Sequence, residues 1–154
     1  MIYLLDVNVL LAMGYTTHVH HTRVLRWLDE QRILHAPSHV KLATCATTEL
    51  GFIRIASGAT QLAASVRDAR NDLVILKLRE RMMFMSDRVI GRQLPPWVTK
   101  AAQTTDGHLV MLARANGARL ATLDKAIRDA EIIPSTAEVS GAPLNLAMHC
   151  RCSM

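Results

Sequence analysis

Short apolar runs recur along this chain, several ending on an acidic residue, and they alternate with stretches whose apolar residues return every three or four positions. Ile2-Tyr3-Leu4-Leu5 runs straight into Asp6, as a strand buried on both faces should. Lys41-Leu42-Ala43-Thr44-Cys45 reads as a second strand and Met82-Met83-Phe84-Met85 as a third. Arg119-Leu120-Ala121-Thr122-Leu123 reads as a fourth, ending at Asp124, and Glu131-Ile132-Ile133 as a short fifth closed by Pro134. Strands that alternate with helical stretches specify an α/β domain with a mainly parallel sheet.

The intervening segments carry helix signals. Val9 to Met13 reads as a short apolar turn, and Thr16-Thr17 precede a helix with Val24, Leu25 and Leu28 inward. Thr47 or Thr48 can cap the next helix, which puts Glu49 in its first turn, Leu50 and Ile53 inward, and Gly58 at its stop. Leu62, Val66, Ala69, Leu73 and Leu76 recur at helical spacing. After the Pro95-Pro96 break, Thr104 or Thr105 caps a turn opening at Asp106, with Leu109, Leu112 and Ala113 inward and Asn116-Gly117 as the stop. A last short helix is expected around Ala126, Ile127 and Ala130. Nothing in the sequence divides residues 1–134, which read as one domain. Residues 135–154, smaller and more polar, read as a tail or appended edge element.

With 154 residues, half of them apolar, the chain can bury a core and is not disordered. Aromatic residues make up only 4%, so that core is aliphatic. Three cysteines, two of them in a terminal C-x-C, make no disulfide framework. The opening residues lack the marks of a signal peptide, and no run of about 18 apolar residues offers a membrane span. A cytoplasmic protein is expected. The formal net charge of +5 suits a polyanionic partner without identifying one.

Ligands of an open parallel sheet bind beyond the carboxyl ends of its strands. Asp6 and Asp124 stand at such ends, Glu49 just after the second strand, and Asp106 at the start of a helix facing the same edge. Any one of them could simply cap a helix. Their convergence in a basic protein points elsewhere: without these four, nine acids remain against 18 bases. Crowded carboxylates raise one another's pKa unless a cation sits among them. Oxygen-only ligands favour Mg²⁺ or Mn²⁺ over zinc, and such sites cut phosphodiesters.

Four segments carry a resemblance. Asp6-Val7-Asn8-Val9-Leu10-Leu11 resembles the opening of PIN-domain nucleases, and Thr48-Glu49-Leu50-Gly51-Phe52-Ile53-Arg54 resembles their second acidic segment. Thr105-Asp106-Gly107-His108-Leu109 is similar to the third, where Ala is commoner than Gly107, and Gly117 to Asp124 to the last. The four occur in order and cover residues 1 to about 134. A short stand-alone domain of this kind looks most like the VapC-type toxin of a toxin–antitoxin pair. The resemblance implies a three-layer α/β/α sandwich and an endoribonuclease that uses Mg²⁺ or Mn²⁺. Asp6, Glu49 and Asp106 would hold the ion, with Asp124 looser or through water. Asn8 and Thr122 would support them, and Arg54 is the candidate for the scissile phosphate. Cleavage by activated water would leave 5′-phosphate and 3′-hydroxyl ends. The resemblance further implies RNA as substrate, a VapB-like antitoxin that covers the site, and a homodimer.

Other signals are weaker. His18, His20 and His21 fit no tight ligand spacing, and His108 projects about 200° around its helix from Asp106. Met82 to Met85 read as strand core rather than a soft-metal site. Seven bases from Arg67 to Arg92, Lys77 among them and set among four acids, read as a solvated helix face and loop, with phosphate contact as the lesser reading. A signalling receiver domain would need a further acidic pair beside Asp6. A silent PIN-like binding module would have lost acids that are all present here. A house-keeping RNA-processing or DNA-directed nuclease is the alternative within the enzyme class.

Overall fold

The computed structural model describes residues 1–59, 61–63, 65–89 and 91–135. The element expected over residues 135–154 therefore lies outside the described residues, Ser135 apart. The strands are β1 (Ile2–Leu5), β2 (Lys41–Cys45), β3 (Met83–Met85), β4 (Arg119–Thr122) and β5 (Glu131–Ile132). They form one sheet in the order β3-β2-β1-β4-β5, with every pairing parallel. β1 is central: Leu4 stands opposite Ala43 of β2 on one side and Leu120 of β4 on the other.

Successive β1 side chains serve opposite layers, as the pleat requires. Tyr3 and Leu5 join a core built with α1 (Val7–Gly14), α2 (His21–His35), α3 (Ala46–Gly58) and α4 (Val66–Arg79). Leu4 joins Ala43, Leu120 and the inner face of α5 (Thr104–Ala115). The domain is thus the expected three-layer α/β/α sandwich, with four helices on one face and a single long one on the other. Among the described residues no helix is long and apolar enough to cross a membrane.

Several local expectations are corrected. Val9 to Met13 belong to a full helix, α1, and all five are buried because α2, α3 and α4 surround it. Leu50 is 67% exposed; Thr48, Phe52 and Ala56, at steps of four, make the inner edge of α3, with Ile53 only partly covered. α4 opens at Val66 behind a Ser65 cap, so Leu62 lies before it and Val66 faces solvent. β3 is an edge strand with Met83 and Phe84 exposed, and Met85 alone of its three residues is core. No helix forms over Ala126 to Ala130. Asp124 accepts from the Ala126 amide at 2.8 Å, a local bond of the kind that favours a turn. The expected threonine caps are also displaced. Thr48 works from the third position of α3, bonding back to the Cys45 amide, and α5 begins at Thr104 without a side-chain cap.

Candidate active site

β1 ends at Leu5, and Asp6 both leaves the sheet and caps α1, its Oδ1 accepting from the Val7 amide at 2.7 Å. Its other oxygen accepts from the Thr122 hydroxyl at 2.7 Å. Thr122, fully buried at the end of β4, also accepts from Asn8 Nδ2 at 3.2 Å and from the Asp124 amide at 3.1 Å. One hydroxyl thus uses its proton and both lone pairs. Asn8 closes the loop by accepting from the Leu123 amide at 3.2 Å. It acts on Asp6 through Thr122 and through a weaker side-chain hydrogen bond of its own.

Asp6 is 8% exposed, and this burial pushes its carboxyl above the usual range; the charge of Asp124 adds to the rise, while the Thr122 and Val7 bonds oppose it. Asp106, in the first turn of α5, is raised by burial and then by the charges of Asp6 and Asp124. The three aspartates therefore share one electrostatic neighbourhood, although 118 residues of chain separate the first from the last. Gly107 explains its own departure from the family pattern. A Cβ there would overlap the Val98 side chain and stand 3.2 Å from Pro95, so the segment before α5 lies close against its first turn.

Glu49 is placed differently. It lies in the first turn of α3 on the same edge, but its Oε1 accepts from the Thr44 hydroxyl at 2.6 Å and from Lys77 Nζ. Among the described residues no three His, Cys, Asp or Glu side chains stand together closely enough to hold an ion. The sequence reading placed the four acids on one edge and named Lys77 only within a basic stretch; it missed Thr44 and the contact of both residues with Glu49. Lys77 was hidden in a basic stretch of α4. Thr44 shared an apolar strand with nothing to mark it. Arg54 is exposed on α3, and its carbonyl accepts from the Ser57 hydroxyl at 3.4 Å.

The residues set aside have ordinary partners. His108 pairs with Asp87 at 2.6 Å. The ring of His21 bonds to the Ala12 carbonyl, and His18 Nδ1 accepts from the His20 amide. Burial and its two histidine neighbours hold the His18 ring below its ordinary pKa.

No family model matches the chain. Among curated proteins, Ribonuclease VapC38 of Mycobacterium tuberculosis is 36% identical over 127 residues, covering 80% of this chain and 86% of its own length. Ribonuclease VapC39 of the same organism is 33% identical, covering 82% of this chain and 91% of its own. Ribonuclease VapC29 is 32% identical over 142 residues, covering 86% and 97%. A chain in the crystal structure of VapBC2 from Rickettsia felis, bound to a DNA fragment from their promoter, superposes with a TM-score of 0.56 at 16% identity, covering 86% of this chain and 97% of that one. The three-layer fold, with acids on its carboxyl edge, is the one expected of the PIN-domain class. Relatives above 30% identity across most of both chains are decisive at the next level. The chain belongs to the VapC ribonuclease family.

Proposed function

We propose that this ribonuclease is the toxin of a toxin–antitoxin pair and cuts RNA internally with Mg²⁺ or Mn²⁺ held by Asp6, Asp106 and Asp124, with Glu49 completing the set. One observation supports it above the others: two of the three aspartates are raised by burial and by like charge, in a chain of net charge +5. A carboxylate cluster that repels itself calls for a cation. The donor chemistry suits the ion, being oxygen throughout, although the carboxylates would have to draw together to hold it.

A divalent ion bound there would supply Lewis-acid charge stabilisation and a more acidic attacking water. The chain's own residues do the rest. Asp6 is held in one orientation by Thr122 and the Val7 amide. Asn8 and the Asp124 amide keep the Thr122 proton directed at Asp6. Arg54, exposed beside the rim on α3, is available to an RNA phosphate. Leu50, Val74, Ile75 and Leu78 leave apolar surface on α3 and α4. Surface of this kind suits a protein partner, and we assign it to the antitoxin or to a second copy of the chain.

End-mapping of a cleaved RNA tests the reading. Products should carry 5′-phosphate and 3′-hydroxyl ends, form with Mg²⁺ or Mn²⁺, and vanish in EDTA. Cyclic 2′,3′-phosphate ends, or cleavage that survives EDTA, would refute it.

A further inference from the structure

Glu49 stands on the rim with a cation already on it. The Lys77 ammonium bonds to its Oε1 from the last turn of α4, the end of a helix that favours positive charge. On β3, the Phe84 ring centroid lies 5.5 Å from Nζ, so an aromatic face also borders the ammonium. Thr44, fully buried, donates to the same oxygen and fixes the carboxylate independently of the lysine. The pair is not sealed: the two side chains keep 26% and 22% of their surface exposed. A partly exposed ion pair opens at little cost. Lysine is a compact charge on a flexible stem, so Nζ can leave Glu49 while α4 stays in place.

Arg54 sits five residues past Glu49 on α3, about 140° around the helix from it, whereas Lys77 touches a rim carboxylate directly. Resting on the ribonuclease reading above, we infer that Lys77 is a substrate-phosphate contact: it holds Glu49 while no divalent ion is bound, and gives its ammonium to a phosphate oxygen of the RNA once the ion engages that carboxylate. Glu49 then has a cation beside it in both states. A positive group is also already at hand where the polyanion arrives.

Two readouts on Lys77→Met test this, one of them without RNA. Calorimetric titration with Mn²⁺ alone should show binding tightened about two- to fivefold, because a competing cation worth a partly exposed ion pair has gone. In cleavage assays at fixed Mn²⁺, kcat/KM should fall about tenfold to a hundredfold, the loss of one charged hydrogen bond. The log–log dependence of kcat/KM on salt should flatten by about 0.7, one phosphate contact on a single strand. Lys77→Arg should keep the wild-type salt slope. Weaker Mn²⁺ binding in Lys77→Met, or an unchanged salt slope, overturns the inference while leaving the ribonuclease reading intact. A wild-type chain that neither binds Mn²⁺ nor cleaves RNA would sink both. Should Lys77→Met not fold, Lys77→Gln carries the same two readouts, and failure of both to fold would make the pair structural and overturn the assignment.

Discussion

The acidic edge has two halves built on opposite principles. Around Asp6, a network of hydrogen bonds ties the ends of β1 and β4 together, and the charges of Asp6 and Asp124 raise the Asp106 carboxyl. Around Glu49, a lysine and a threonine satisfy a single carboxylate oxygen. The first half stores electrostatic repulsion that a cation can relieve. The second is already relieved, and a cation must displace something to enter. Affinity for an ion should therefore come mostly from the aspartates, with Glu49 joining at a discount.

Removing the centre of the first half should have the largest effect. Asp6→Ala deletes a buried carboxylate together with its hold on Thr122, and kcat for RNA cleavage should fall by about three orders of magnitude or more, since ion binding and water activation fail together. A residual rate within tenfold of wild type would show that the two halves had been ranked wrongly.

Ion binding sharpens the same contrast. Mn²⁺ at 100 times its Kd should stabilise the wild-type chain by about 2.7 kcal/mol through mass action. Asp106→Asn should remove most of this gain and Glu49→Gln a smaller part, read by thermal unfolding with and without the ion. Equal losses from both would mean that Lys77 offers no competition.

The hydrogen-bond network can be tested apart from charge. Thr122→Val keeps the shape but leaves Asp6, Asn8 and the Asp124 amide without their shared partner, and should cost about 1–3 kcal/mol in urea unfolding. The same substitution at Thr44 strands Glu49 alone, which Lys77 still holds, and should cost less.

The smallest expected effect is on pH dependence. Asp6 and Asp106 bind protons more tightly folded than unfolded, so their contribution to stability is full below the ordinary Asp range and is lost as pH rises through their raised folded values. In ion-free buffer, Asp106→Asn should therefore gain stability relative to wild type as pH rises through that window. Saturating Mg²⁺ should erase or reverse the difference. A difference that runs the other way without metal would mean that a cation of the chain already neutralises Asp106.

Much of this was legible in the residues. Ile2–Leu5 and Lys41–Cys45 form strands with the bounds expected; the first is a parallel strand covered on both faces, apolar throughout and ended where Asp6 leaves the sheet. Gly117, at φ +63°, ends α5 as Asn116-Gly117 foretold. Leu50 failed for a reason of the same kind. Helical periodicity marks a face but does not say which of two adjoining faces meets the sheet, and in α3 the turn at Cys45 set the rotation so that Phe52 and Ala56 face inward.

By itself, then, the sequence determined the layers, the parallel order of strand and helix, and the edge on which Asp6, Glu49, Asp106 and Asp124 would gather, since each depends on local pattern and on the geometry of parallel sheets. Tertiary structure alone decided what those acids meet. Lys77 reaches Glu49 across 28 residues and Thr122 reaches Asp6 across 116. Such pairings depend on how α3 lies against α4 and how β4 registers beside β1. The angle and rotation of packed elements follow from the whole core, and no spacing along the chain encodes them.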